Sequence, residues 1–285
     1  MSFRTYFDVE GPDVSQLGAQ VGEQRAAVAL RLARVDRVVA VLSGKGGVGK
    51  SYVTAALTVA LARRSLHVGV LDADLQSPTV TKLLDARAEG GGPLVVHQDG
   101  VSPAIGRDGV RVMSTDLLIE QGRALRWSSS AGEEHVWRGA TETGMLREFL
   151  ADVRWGDLDV LLVDMPPDAA RLADLATLVP RLSGAIAVTI PTMESERSVA
   201  RALDAAHDAG VSVLGLVENM SGFACRTCHE VGPLFDGNAG DHLSASHGIP
   251  LLARLPFTRN GLDAVADGLS LVVDALLTPA SRSRP

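Results

Sequence analysis

Cysteine is scarce: Cys225 and Cys228 are the only two in 285 residues. One pair cannot staple a chain of this length into a disulfide framework, so a reducing compartment is expected and the predicted location is cytoplasmic. Long apolar runs are lacking too. None approaches the ~20 residues of a membrane-spanning helix, so no membrane partner is expected. The opening stretch, MSFRTYFDVEGPDVSQ, lacks the basic-then-apolar order of a secretory leader. Positive charge is in deficit. With 27 Lys and Arg against 34 Asp and Glu, the net charge of −7 argues against a nucleic-acid partner, which needs a basic surface. Internal repeats and low-complexity tracts are absent.

What remains is an ordinary globular composition, 46% hydrophobic and 21% charged, able to bury one large core or two small ones. Residues 1–12 look irregular, and residues 14–37 read as an amphipathic helix. Apolar runs then alternate with helical patterns. Strands are predicted at 37–43, 67–74, 159–167, 184–191, 212–219 and 250–256, and helices at 50–65 and 195–210. Continuous β-branched runs separated by helices predict an α/β fold, a mainly parallel sheet with helices on both faces. Residues 89–114 break this rhythm with two Asp-Gly turn signals and predict a small antiparallel hairpin insertion. Residues 127–136 read as a mobile loop.

The strongest local signal is SGKGGVGKS, Ser43 to Ser51, which satisfies G-x-x-x-x-G-K-[ST] between a predicted strand and helix. Glycines let successive backbone N–H groups face one anion, and the following helix adds its positive end. Gly44, Lys45, Gly46, Gly47, Val48, Gly49, Lys50, Ser51 and Tyr52 are therefore the candidate nucleotide-binding residues. Lys50 is expected on the β- and γ-phosphates of ATP, and Ser51 on Mg²⁺. Three carboxylates end two of the predicted strands: Asp72 and Asp74 in GVLDAD, and Asp164 in VLLVDMPP. Ligands bind at such strand ends in parallel sheets. Asp164 fits the acid that holds the Mg²⁺ shell. For Asp72 and Asp74, a strand-end cap or turn role is the competing reading.

A second lysine, Lys45, makes the motif specific. GKGGVGKS resembles the deviant Walker A of the MinD/ParA/nitrogenase-iron-protein class of P-loop ATPases. That resemblance implies a MinD-like P-loop fold and an ATP-dependent homodimer, with Lys45 acting catalytically on the partner's nucleotide. DADLQSP resembles the class's switch segment, which implies that Asp74 orients or deprotonates the attacking water and Asp72 supports Mg²⁺. Asn219, in GLVENM, stands where the class reads adenine, and an amide matches the N6/N7 edge. LPFTRN (255–260) resembles the stretch that packs on the other side of the base.

The CxxC pair is open to several readings on its residues alone. It suits a redox dithiol, half of a zinc site, or half of an iron–sulfur site, and the first lacks a thioredoxin-like context. ENMS followed by CxxC, with VWRGA (136–140), VRWGDLDVLLVDMPP (153–167) and GIPLLARLPF (248–257), resembles the Mrp/ApbC iron–sulfur cluster carriers over residues 36–275. The resemblance implies that Cys225 and Cys228 from each of two chains share a [4Fe–4S] cluster, which is passed to apo iron–sulfur client proteins. Zn²⁺ is the alternative metal. His229 is set aside, because adjacent residues rarely converge on one metal. A partition or positioning ATPase, or a zinc-bridged targeting ATPase, is the alternative function. The expected organisation is an N-terminal arm and helix (1–36), a P-loop ATPase domain carrying the CxxC metal site (37–278) and a flexible tail (279–285).

The chain departs from that family's pattern in three places. Asp168, Ala169 and Ala170 replace the small flexible residues of the Gly-Thr-Gly-Asp switch after the Walker B prolines. Leu75 to Pro78 read LQSP in place of Ile-Tyr-Gly-Pro. Residues 1–36 are too few for the small extra N-terminal domain of many bacterial members, and they lack the Cys-rich extension of the eukaryotic cytosolic relatives.

Overall fold

Alternation along the central strand, β1 (Val35–Ser43), sets the architecture. Val38, Ala40 and Leu42 enter the core on one face, and Val39 and Val41 enter the core on the other. A strand buried on both sides needs helices on both sides. The computed structural model describes residues 17–88, 94–118, 134–168, 170–179, 181–225, 228, 230–258 and 261–278.

Before β1 comes α1 (Leu17–Arg31), and after it α2 (Lys50–Ala62), β2 (Val68–Asp72) and α3 (Val80–Leu83). Four short strands follow: β3 (Val96–His97), β4 (Gly100–Val101), β5 (Ala104–Ile105) and β6 (Arg111–Met113). The second half alternates more regularly, through α4 (Glu134–Asp152), β7 (Leu158–Asp164), α5 (Ala170–Leu178), β8 (Leu182–Thr189), α6 (Met193–Asp208) and β9 (Val213–Ala224). It closes with β10 (Val231–Gly232), α7 (Ala239–His247), β11 (Leu251–Phe257), α8 (Gly261–Asp267) and α9 (Ser270–Leu277).

The main sheet runs β10-β9-β8-β1-β7-β2-β6-β5, with β11 also on β9. The pairs β11–β9, β9–β8, β8–β1, β1–β7, β7–β2 and β2–β6 are parallel. Only the short β5 and β10 run antiparallel to their neighbours. Helices α4, α5 and α6 contribute Leu150, Leu175 and Val199 to one core, and α2, α8 and α9 contribute Leu57, Val265 and Val272 to the other. Sandwiched between the sheet and α8, α2 is buried continuously from Val53 to Leu61. Of its two buried hydroxyls, Thr58 bonds back to the carbonyl of Thr54, and Thr54 lies 3.0 Å from the carbonyl of Lys50.

This is the expected α/β fold, with several local differences. The first helix stops at Arg31, because Val35 already pairs with Leu158 and pulls the chain into the sheet. The expected insertion at 89–114 splits in two. Strands β3 and β4 form a separate antiparallel ribbon, whereas β6 joins β2 as part of the main sheet. The loop expected at 127–136 is corrected at its end, since Glu134 starts α4. Residues 1–16, 89–93, 119–133 and 279–285 lie outside the described residues, and with them the irregular start, the rest of that loop and the tail.

One glycine of the loop after β1 is fixed by packing. A Cβ on Gly44 would lie 2.0 Å from the backbone carbonyl carbon of Ser198 in α6, whereas one on Gly46 would meet nothing within 4 Å. Gly44→Ala is therefore expected to lower stability by about 1–3 kcal/mol, and Gly46→Ala by less than about 0.5 kcal/mol, in denaturant unfolding. Equal effects would contradict this close approach.

Candidate functional site

Three neighbouring strands bring their carboxyl ends to one rim of the sheet. In register, Val41 of β1 sits beside Asp164 of β7, and Asp164 sits beside Asp72 of β2. The loop 44–49 leaves β1 on this rim and turns into α2. Gly47 and Gly49 have φ of 81° and 80°, the left-handed region where glycine is favoured. Gly49 is the residue immediately before α2, so the loop delivers its backbone to a helix N-terminus, the arrangement that receives phosphate.

Asp164 is the hub. It is fully buried and lies 2.8 Å from the Lys50 ammonium, itself 7% exposed. Ser51 donates its hydroxyl to Asp164 Oδ2 at 2.5 Å, and Thr54 donates to Oδ1 at 2.7 Å. Ser51 and Asp164 thus meet as the hard oxygen donors that Mg²⁺ takes, and the donor set fits that ion. Thr54 was not expected from the sequence. Its signal was a hydroxyl one turn beyond Lys50 in an otherwise apolar run.

Asp72 is spent on the backbone. Its Oδ2 accepts from the N–H groups of Thr79 and Val80 at 2.9 and 3.1 Å, and Oδ1 accepts from Asp74 N–H at 3.2 Å. It therefore ties down the segment 74–80 and the start of α3, which is the strand-end cap of the competing reading. Burial raises its pKa to about 7, and the neighbouring Asp164 pushes the same way, against the backbone N–H groups and Lys50. Asp74 is half-buried and accepts from Ser77 N–H at 3.1 Å, closing a tight turn in that segment. Lys45 is half-buried in the loop, where its carbonyl accepts from the Ser43 hydroxyl at 3.1 Å. Tyr52, half-buried in the first turn of α2, packs against the α8–α9 side core, and burial raises its phenol pKa.

Asn219 reaches the loop from β9. Its side-chain N–H donates to the Val48 carbonyl at 2.9 Å, and its amide fills the space a Cβ on Gly49 would need. One of its two N–H donors therefore holds the loop. Of LPFTRN, residues 259–260 lie outside the described residues. Glu218, next to Asn219, was also missed. It is buried, accepts from Gly240 N–H at 2.7 Å and faces Arg254 at 3.4 Å, pinning α7 and β11 to β9.

The same strand leads to the cysteines. Past the reach of β8, β9 continues with β11 on one edge and β10 on the other, since Phe223 pairs with both Phe257 and Gly232. Cys225 follows directly, its N–H donating to the Glu230 carbonyl at 2.9 Å. Cys225 and Cys228 thus stand between the antiparallel strands β9 and β10, and β9 runs five residues past the strand end expected at 219. Neither cysteine is in a disulfide. Cys228 is exposed, with its thiol 3.8 Å from the Glu230 carboxylate. Phe223, Val231, Leu234, Phe235 and Phe257 are exposed on and beside this hairpin. Among the described residues, no three His, Cys, Asp or Glu are grouped to hold a metal ion. His229 lies outside those residues.

Compared with known proteins, residues 34–283 match the family model described as "ParA: NUBPL iron-transfer P-loop NTPase". The chain belongs to this family. An iron–sulfur cluster carrier protein of Saccharolobus solfataricus is 35% identical over 86% of this chain and 79% of its own. The cytosolic Fe–S cluster assembly factor NUBP2 of Bos taurus is 37% identical over 90% of this chain and 92% of its own. A solved nucleotide-binding protein of Archaeoglobus fulgidus, in complex with ADP, superposes with a TM-score of 0.68. It shares 32% identity and covers 85% of this chain and 90% of that one. No described helix is long and apolar enough to cross a membrane.

The raised pKa of Asp72 has a thermodynamic consequence. The folded state holds a proton that the unfolded state releases near pH 4, so between about pH 4 and 7 stability falls as pH rises. Asp72→Asn is expected to flatten this slope by more than about 1 kcal/mol between pH 5 and 8 in denaturant titrations. An unchanged slope would show that Asp72 titrates normally.

Proposed function

We propose that this protein is an ATP-dependent iron–sulfur cluster carrier that works as a homodimer in the cytoplasm and passes a cluster to apo-proteins. One observation carries the reading: β9 holds the loop 44–49 through Asn219, and the chain reaches Cys225 six residues on, directly past the end of the strand, with Cys228 three further. A phosphate cradle and a thiol pair joined by one strand suit a carrier whose grip on cargo follows its nucleotide. A positioning ATPase leaves the thiols without a task.

In this reading the Lys50 ammonium exchanges the Asp164 carboxylate for the β- and γ-phosphates of ATP. Ser51 and Asp164 then hold Mg²⁺, which supplies charge neutralisation at the phosphates. The N–H groups of residues 46–51 cradle the phosphates. Asp74 directs a water at the γ-phosphorus, and Lys45 adds positive charge to the partner's nucleotide. The second side-chain N–H and the carbonyl oxygen of Asn219 read the adenine edge, while Asp72 keeps the Asp74 segment in place. The cluster is cargo. Two thiolates per chain fall short of four, so the site is completed by the same pair from a second chain, and the exposed apolar side chains around the hairpin suit that contact.

Lys50→Ala is expected to weaken ATP binding by about 100-fold or more in calorimetry. The same substitution strands the buried Asp164 carboxylate, so it also lowers the unfolding midpoint, and binding is measured well below that temperature. Unchanged ATP affinity would refute the phosphate-loop assignment. Asp74→Asn is expected to keep ATP affinity within about threefold while lowering turnover by about 100-fold or more. Wild-type turnover in that variant would remove Asp74 from the chemistry. Cys225→Ser and Cys228→Ser are each expected to abolish cluster retention after reconstitution. Metal kept by either variant would refute a site built on both thiols.

A further inference from the structure

Two segments in which this chain departs from its family pattern, 75–78 and 168–170, the second through the adjoining Arg171, are joined by a single carboxylate. Glu142 of α4 accepts from the Gln76 side-chain amide on Oε1 at 2.6 Å, and from Arg171 Nη2 on Oε2 at 2.6 Å. One oxygen thus goes to each segment. Arg171 is held on its other side by Asp174 at 3.2 Å and Thr143 at 3.3 Å, with Asp168 at 4.0 Å. Thr143 in turn donates to Asp174 at 3.0 Å. Glu142 and Arg171 are 15% and 21% exposed, so this bridge is better shielded than a surface ion pair.

The bridge lies where it can set catalytic geometry. Gln76 is two residues from Asp74, inside the turn that Asp74 closes on Ser77 N–H. Asp168 to Arg171 follow Asp164, the hub of the phosphate site, by four to seven residues. In this chain Asp168 stands where the family pattern has a small, flexible residue, and Arg171, three residues on, ties that segment to α4.

We propose that Glu142 is a positioning residue that locks the 74–78 and 168–171 segments into one unit, so that Asp74 is presented to the γ-phosphate together with the segment beyond Asp164. This extends the ATPase reading above and rests on it for its catalytic half. The mechanical half stands alone: the two segments exchange and move as one.

Amide hydrogen exchange and steady-state kinetics on the full chain separate these halves. Wild type, Glu142→Ala and Gln76→Ala are compared with and without Mg-ATP. Gln76 is exposed, so its truncation removes one bond of the bridge without touching the core. Glu142→Ala is expected to speed exchange of peptides over both 74–80 and 165–172 by about fivefold or more, leaving β1 and β7 unchanged. Gln76→Ala is expected to do so over 74–80. In both variants kcat falls by about fivefold with KM for ATP unchanged, and Glu142→Gln, which keeps a side-chain oxygen for Gln76, recovers part of the loss. Exchange at the wild-type rate over either segment in Glu142→Ala would overturn the lock. A kcat that is unchanged or raised in both variants would overturn its catalytic role. Absence of turnover in the wild-type chain would instead refute the ATPase reading, while the exchange data still decide the lock.

Discussion

A fully buried carboxylate, Asp164, organises the phosphate rim. An uncompensated charge in that position is prohibitively costly, so the fold surrounds it with an ammonium and two hydroxyls from the first turns of α2. Those contacts dock α2 onto the end of β7 and fix the phosphate loop between β1 and α2. Burial raises the pKa of the neighbouring Asp72, and the Asp164 charge pushes the same way. The docking of α2 and the placement of the loop 44–49 are therefore consequences of one electrostatic constraint.

A second constraint runs along β9. Asn219 holds the Val48 carbonyl, Met220 departs into the left-handed region at φ 53°, and the register with β11 shifts between Leu255 and Phe257 before the hairpin reaches Cys225. A non-glycine residue with positive φ inside a strand is costly and persists where its surroundings hold it. Here they do so between the nucleotide loop and the thiol pair. Glu218 anchors the preceding turn of the strand to α7 and β11. Between Asn219 and Cys225 the backbone spans at most about 20 Å.

Much of this was legible in the sequence. Strands buried on both faces announce themselves as unbroken β-branched runs, so the sheet and its helices were read correctly in type, and the phosphate loop was found by its glycines and Lys50. Boundaries were less clear. Val35 and Asp36 look helical in sequence, yet the pairing of Val35 with Leu158 claims them for β1. The short strand β6 was hidden in a hairpin pattern because three residues give too little periodicity to show which neighbours they pair with. The site was readable where chemistry repeats a motif and opaque where it depends on tertiary contacts. Asp72 could be read as a strand-end cap, but nothing local names Thr79 and Val80 as its donors, Asn219 as a support of Val48, or Glu142 as the link between two distant segments.

The central claim is that nucleotide and cargo sites belong to one dimeric carrier whose thiol site is completed between chains. The most direct test is anaerobic reconstitution with iron and sulfide in the presence of Mg-ATP, followed by native mass spectrometry with iron, sulfide and zinc analysis. The account predicts roughly one four-iron, four-sulfide cluster per two chains, carried by a dimeric species and lost together with the dimer when the thiols are blocked. A cluster held by a single chain, or zinc in place of iron at the same stoichiometry, would contradict it.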